Sequence, residues 1–196
     1  MFTGIVEQVG TITAVVDDLG LRTIEISGSE LGELAIGASI AINGVCLTAV
    51  ETGGDYMRVN AIPETLHRTN LGQLLVGDRV NLELPMPASG RFDGHIVQGH
   101  IDGVGIIRSV SADGESSVVE VETPGDLLVY VVEKGSITVD GVSLTVAGLF
   151  EGGFSVALIP HTLEVTTLGL RKAGDPVNLE VDVLAKYVER LMKAHR

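Results

Sequence analysis

The sequence predicts an all-β protein of two tandem, homologous six-stranded antiparallel β-barrels plus a C-terminal α-helix. Three observations carry that reading. The first is a ten-residue phrase, Ser39-Ile40-Ala41-Ile42-Asn43-Gly44-Val45-Cys46-Leu47-Thr48. It returns 97 positions later as Ser136-Ile137-Thr138-Val139-Asp140-Gly141-Val142-Ser143-Leu144-Thr145. Each copy sets two short apolar runs around Asn-Gly or Asp-Gly, the dipeptides that take positive φ and mark a tight hairpin. The second observation is that the same spacing relates Ile62–Gly72 to Ile159–Gly169 and Gly77–Glu83 to Gly174–Glu180. Gly4–Gly10 returns as Gly99–Gly105 at a spacing of 95. The third is that this duplicated module accounts for nearly all of the 196 residues. Two domains are therefore expected, 1–94 and 95–185, with a terminal helix over 186–196.

Phe2 to Val16 reads as a strand kinked at Gly10, turning through Asp17-Asp18-Leu19-Gly20 into a strand from Leu21 to Ser27. Ser29 to Ala35 suits one helical turn before the repeated hairpin. Tyr56 to Ala61 and Arg79 to Leu84 alternate as strands. Between them, Pro63 to Leu71 opens on Pro and stops before Gly72, which suits a short helix. Six such strands with turns between them close into a barrel. The second half repeats the recipe from about His95 to Asp182. Pro85-Met86-Pro87-Ala88-Ser89-Gly90 reads as a connector too short for a free tether, so the barrels are expected side by side. Leu184 to Lys193 has no counterpart, and it puts Leu184, Tyr187, Val188 and Leu191 on one helical face. Both barrels close their own cores, so this stripe is expected to be an oligomer seam, the plainer alternative being a helix that covers a barrel end.

Composition excludes several functions. The chain has 26 acidic residues against 13 Lys and Arg, a net charge of −13, and no Trp. That balance repels nucleic acid and anionic membranes, so neither is an expected partner. No apolar run approaches the roughly 18 residues of a membrane span. Met1-Phe2-Thr3-Gly4 lacks the basic start of a signal peptide. A single cysteine permits no internal disulfide and fits a reducing, cytoplasmic setting. His95 and His100, five apart, are expected on opposite faces of a strand, and no Cys or His cluster completes a zinc site. Gly99-x-x-x-Gly103-Val104-Gly105 leads into a strand, so it lacks the helix a dinucleotide site needs.

The copies are most informative where they differ. Cys46 faces Ser143, Ile5 faces His100, Gly37 faces Lys134, Glu64 faces His161, and Pro85 faces Asp182. The first half keeps the thiol; the second gathers an imidazole, an amine and a carboxylate. Such a pattern suits two copies of one ligand held alike and handled differently. The bland readings are a buried thiol at Cys46, turn formers at Asn43 and Asp140, and a solvated turn at Lys134.

The start Met1-Phe2-Thr3-Gly4-Ile5-Val6, the two hairpins and Gly94-His95-Ile96-Val97-Gln98-Gly99-His100 together resemble riboflavin synthases of the alpha-subunit type, members of the duplicated lumazine-binding barrel family. The resemblance runs from the first residue to the C-terminal helix. It implies Greek-key barrels, a homotrimer assembled by the helix, and no cofactor or metal. It also raises lumazine synthase as a partner. The implied reaction dismutates two molecules of 6,7-dimethyl-8-ribityllumazine. One gives a four-carbon unit to the other, yielding riboflavin and 5-amino-6-ribitylamino-2,4-pyrimidinedione. The implied first bed holds Gly4, Ile5, Val6, Ser39, Cys46, Leu47, Thr48, Asn60, Ala61, Ile62, Pro63, Glu64 and Thr65. The second holds Gly99, His100, Ile101, Lys134, Ser143, Leu144, Thr145, Ile159, Pro160, His161, Thr162, Leu163, Glu164 and Asp182. The family's site is implied to lie between the first barrel of one subunit and the second of its neighbour. The family usually carries Glu where His161 stands, which exchanges an acceptor for the ribityl hydroxyls for a titratable donor.

That chemistry explains a duplicated bed. Two identical flat heterocycles must meet in one orientation, and holding both is worth up to roughly 7–11 kcal/mol. The donor's C7 methyl is acidic because its carbanion delocalises into the ring, so proton transfer needs no strong base. Ser39, Cys46, His100 and Asp182 are the candidate catalytic residues, histidine being the side chain that titrates nearest neutrality. Cys46 or Ser39 is also a candidate nucleophile toward C7 of the acceptor. The competing class is a non-catalytic lumazine- or flavin-binding fluorescent protein, expected to lose catalytic side chains from one bed. A reductase's flavin module fits less well, since no stretch is left for a nicotinamide-binding domain.

Overall fold

The structure, a computed structural model, describes residues 1–18, 20–29, 31 and 34–194. The first barrel contains β1 (Gln8–Asp18), β2 (Leu21–Ser27), β3 (Ser39–Ile42), β4 (Val45–Gly53), β5 (Tyr56–Ala61) and β6 (Arg79–Glu83). It closes in the order β1-β2-β5-β4-β3-β6, with every pair antiparallel. The second contains β7 (Gly103–Asp113), β8 (Ser116–Glu122), β9 (Ser136–Val139), β10 (Val142–Phe150), β11 (Gly153–Leu158) and β12 (Pro176–Val181). It closes in the corresponding order, β7-β8-β11-β10-β9-β12. The helices are α1 (Pro63–Arg68), α2 (Gly125–Leu128), α3 (Pro160–Val165) and α4 (Val183–Ala194), with 3₁₀ turns at Asn70–Gln73 and Thr167–Leu170. No described helix is long and apolar enough to cross a membrane.

The repeated hairpins form as their turn residues require. Asn43 and Gly44 have φ of 45° and 78°, Asp140 and Gly141 47° and 81°. Positive φ at both central positions is the two-residue turn whose twist matches its strands. Strand alternation then sends Ile40, Ile42, Leu47, Met57, Val59, Val80 and Leu82 into one core. Ile137, Val139, Val146, Phe154, Val156, Val177 and Leu179 fill the other. Each such side chain contributes about 1.5–3 kcal/mol on burial.

Two local expectations are corrected. The first strand begins at Gln8, not Phe2, and its irregularity is a register slip between Ile12 and Ala14. Gly10 is instead a packing glycine: a Cβ there would lie 2.6 Å from Leu82 Cδ1 and 2.7 Å from Ile26 Cγ2. The helical turn expected over Ser29–Ala35 falls partly on residues 30, 32 and 33, and the first hairpin includes residue 19. Those residues lie outside the described ones.

The barrels meet turn against turn. A Cβ on Gly44 would sit 2.8 Å from the Gly141 nitrogen, and one on Gly141 2.7 Å from the Gly44 nitrogen. Around them the contacts exchange about an approximate twofold axis. Asn178 Nδ2 donates to the Asn43 carbonyl and Asn81 Nδ2 to the Asp140 carbonyl, both at 2.9 Å. The Asn70 amide donates to Asn178 Oδ1 and the Thr167 amide to Asn81 Oδ1, both at 2.7 Å. Asn43 and Asp140 are turn formers as expected; both are fully buried, and the Asp140 side chain also joins the barrels by accepting from Asn70 Nδ2.

α4 starts at Val183, ahead of the boundary expected at 186; residues 195–196 lie outside the described ones. Its polar side docks on the second barrel. Lys186 pairs with Asp102 at 2.7 Å, and the Tyr130 hydroxyl donates to Glu189 at 2.6 Å. The apolar stripe faces outward, with Leu184, Tyr187, Val188 and Leu191 each more than half exposed.

Candidate functional site

Short segments of the chain change barrels before each barrel begins. Val6 packs on the core of the second barrel, and Ile101 on the core of the first. A buried carboxylate fixes each crossing. Glu83, at the end of β6, accepts from the Thr3 amide at 2.6 Å, the Thr3 hydroxyl at 2.9 Å and the Gly4 amide at 3.0 Å. Glu180 on β12 accepts from the amides of Gln98 at 2.7 Å, Gly99 at 3.0 Å and His100 at 3.1 Å. Burial pushes the Glu83 carboxyl up, opposed by the Thr3 and Gly4 amides. Burial also pushes Glu180 up to about 7, opposed by the Gln98 and Gly99 amides.

The crossings regroup the two beds. The Ser143 amide donates to the Gly4 carbonyl at 2.7 Å, and the Cys46 amide to the Gly99 carbonyl at 2.9 Å. Gly4, Ile5 and Val6 therefore stand over Ser143 in the second barrel, and Gly99, His100 and Ile101 over Cys46 in the first. This is the reverse of the grouping expected from sequence. Both glycines are obligatory, since φ is +78° at Gly4 and +77° at Gly99. A Cβ would also fall 2.6 Å from Ser143 Cβ and 2.5 Å from Cys46 Cβ respectively. His95 and His100 lie outside the strands, so the expectation that they occupy opposite strand faces does not hold. Among the described residues no cluster of His, Cys, Asp or Glu could hold a metal ion.

The first bed presents half-buried Cys46 beside Ala41, with Ser39 opposite Thr48 on the hairpin. Leu47 points into the core. The Thr23 hydroxyl donates to Asn60 Oδ1 at 3.0 Å. Beyond Ala61, Ile62 is 56% exposed before Pro63, Glu64 and Thr65 open α1, with Glu64 paired to Arg68. The second bed has the same plan: Ser143, Leu144 and Thr145 on β10, then exposed Ile159 before Pro160, His161, Thr162, Leu163 and Glu164 in α3. Lys134 holds φ +66° where Gly37 holds +88°. The Asp182 carboxylate accepts the Leu184 amide at 2.9 Å and so caps α4. Ser143 Oγ lies 2.7 Å from His95 Nδ1. Burial holds His95 below the usual histidine range, with Asp182 acting the other way.

Both beds are open shelves. A cleft of about 400 Å³ is lined by Val104, Ile106, Glu122 and Glu151, away from every expected site residue. Smaller clefts reach the beds at Ile5 and at Pro63.

A lumazine binding domain model matches residues 3–85 and again residues 98–182. The chain is 49% identical to a riboflavin synthase of Mycobacterium bovis over 99% of both chains. The chain belongs to the riboflavin synthase family. Other riboflavin synthases are 43% identical in Actinobacillus pleuropneumoniae and 40% in Bacillus subtilis, each over 98% of this chain and 90% of the relative. A solved structure of LumP complexed with riboflavin has a TM-score of 0.86 at 26% identity, covering 92% of this chain and 99% of that one. In riboflavin synthase terms, the anchors Glu83 and Glu180 and the Ser143 partner His95 are what reading the sequence missed. The signal was there for the acids: Gly77–Glu83 and Gly174–Glu180 end on the same residue, where a solvated strand end has no need of one.

Proposed function

We propose that this protein is a riboflavin synthase, a transferase that moves a four-carbon unit between two molecules of 6,7-dimethyl-8-ribityllumazine. The products are riboflavin and 5-amino-6-ribitylamino-2,4-pyrimidinedione. The observation that carries this is the pair of matching shelves. Each has a hairpin strand, an exposed Ile-Pro helix start and a crossing segment, so each suits the same flat ring. Their difference supports unlike handling of the two rings. Cys46, Ser39 and His100 gather in one bed, and Ser143, Lys134, His161 and Asp182 in the other. Ser39, Cys46, His100 and Asp182 stay the catalytic set; the remaining residues of both beds bind substrate. The module boundaries 1–94, 95–185 and 186–196 belong to this reading, amended because residues 99–101 complete the first barrel's bed.

An open shelf leaves one ring face bare, so the second ring must come from another subunit. We assign that to a cytoplasmic homotrimer joined through α4, where lumazine synthase would supply substrate. Truncation after Asp182 should leave both barrels folded, since β12 ends at Val181. It should convert trimer to monomer in sedimentation and lower turnover by more than about tenfold. A truncated trimer with full activity would remove α4 from the assembly.

The deciding experiment incubates purified protein with the lumazine alone and follows flavin absorbance and fluorescence. Riboflavin should appear without added nucleotide or metal. Binding without turnover would favour the antenna class, to which the LumP likeness points. Binding of neither compound would defeat both readings.

A further inference from the structure

We infer that Glu180 is a positioning residue of the first bed: through three successive backbone amides it sets where His100 and the Gly99 carbonyl stand above Cys46. The inference rests on the riboflavin synthase reading of that bed. Glu180 is 1% exposed, and its two oxygens receive the amides of Gln98, Gly99 and His100 at 2.7, 3.0 and 3.1 Å. Consecutive amides converging on one site form an anion nest. An ionised carboxylate is acceptor-only and satisfies all three; a protonated acid or an amide turns a donor toward donors. The other end of the segment is pinned by the Cys46 amide on the Gly99 carbonyl. Gly99 already touches Cys46 as closely as backbone allows, so it has no room to settle elsewhere on β4. Loosening the carboxylate therefore moves His100 relative to the thiol while the barrel cores stay as they are.

The second bed's anchor is built differently. Glu83 receives two backbone amides plus the Thr3 hydroxyl, which can rotate to accept a hydrogen bond from the protonated acid. At the corresponding place beside Glu180 stands Gln98, contributing its backbone amide. Glu83 can thus change protonation and keep its partners; Glu180 cannot.

The groups acting on Glu180 are Lys186 of α4, which favours the charge, and Asp102, which opposes it; these two pair at 2.7 Å. Burial outweighs both and pushes Glu180 up to about 7. The sign follows from a folded value above the unfolded one. As pH falls from about 7 toward the ordinary carboxylate range, this group adds stability to the fold, because a buried charge is neutralised. Over the same window it withdraws acceptors from residues 98–100. Global stability and local anchoring therefore move in opposite directions.

The test uses the full-length chain. Glu180→Gln is expected to lower kcat on the order of ten- to a hundredfold, with KM changing by less than about twofold. Glu180→Gln combined with His100→Ala should be no slower than His100→Ala alone, since both act through one side chain. Glu83→Gln should have the smaller effect. In the wild type, protection factors (exchange rates corrected for the intrinsic pH dependence of amide exchange) at Gln98, Gly99 and His100 should fall as pH drops through about 7, while those of Thr3 and Gly4 hold. Multiplying effects of Glu180→Gln and His100→Ala, or protection factors at 98–100 indifferent to pH, would overturn the inference. The wild-type exchange measurement decides it even if Glu180→Gln does not fold. A wild type that makes no riboflavin would refute the functional reading while the exchange result still reports on the anchor.

Discussion

Gly99→Ala is expected to abolish most riboflavin formation and to lower stability by roughly 2–5 kcal/mol. Two costs combine. The backbone at φ +77° charges an L side chain about 1–2 kcal/mol. The new methyl would also sit 2.5 Å from Cys46 Cβ and 2.9 Å from the Cys46 nitrogen, so either the segment or β4 must move. Overpacking of this kind typically costs another 1–3 kcal/mol. Gly37→Ala is the control. Its φ is +88°, but a Cβ there meets nothing within 4 Å, and the second copy already carries Lys134 at φ +66°. That change should cost only about 1–2 kcal/mol and leave turnover alone. Denaturant midpoints and flavin fluorescence read both outcomes. A Gly99→Ala protein with wild-type turnover would mean that the crossing segment is free to shift on β4.

What the sequence made legible was local. Asn43-Gly44 and Asp140-Gly141 specify their turn through their own dihedrals, and alternation about them specifies which residues face inward. The repeat spacing then extends one reading to the whole chain. What stayed hidden was long-range. In a duplicated chain, Gly4 over Cys46 and Gly4 over Ser143 carry the same local pattern, so spacing alone cannot choose between a segment that stays and one that crosses. The choice is made by Val6 and Ile101 finding space on the opposite cores.

The site was legible to the extent that it is written in differences between copies. Cys46 against Ser143 and Ile5 against His100 stood out because one copy lacks what the other has. Glu83 and Glu180 were passed over because both copies share them, and a strand-end acid reads as solvated. His95 was weighed only as a metal ligand, because its hydrogen bond to Ser143 joins residues 48 apart in sequence. Asn43 and Asp140 were rightly placed in turns, but nothing in a turn says that a second turn covers it.

Asp140 and Arg171 offer the other large effect, and the duplication supplies its control. Asp140 is fully buried. Its Oδ1 accepts from Asn70 Nδ2 at 2.9 Å and the Asn178 amide at 2.8 Å, and its Oδ2 accepts from the Arg171 guanidinium. The first copy has Asn43 and Leu74 at these places, a neutral combination. Asp140→Asn strands Arg171 against amide donors, and Arg171→Leu strands a buried carboxylate. Each should cost about 3–5 kcal/mol, the penalty of breaking one partner out of a buried pair. Together they recreate the first copy's combination, so the double variant should recover on the order of 2 kcal/mol relative to the sum. Salt should leave these values nearly unchanged, because screening acts weakly on a buried pair. Denaturant unfolding of the four proteins supplies the cycle. Strict additivity would mean that Asp140 and Arg171 stabilise the joint independently, and that their pairing contributes nothing beyond the neutral arrangement across the axis.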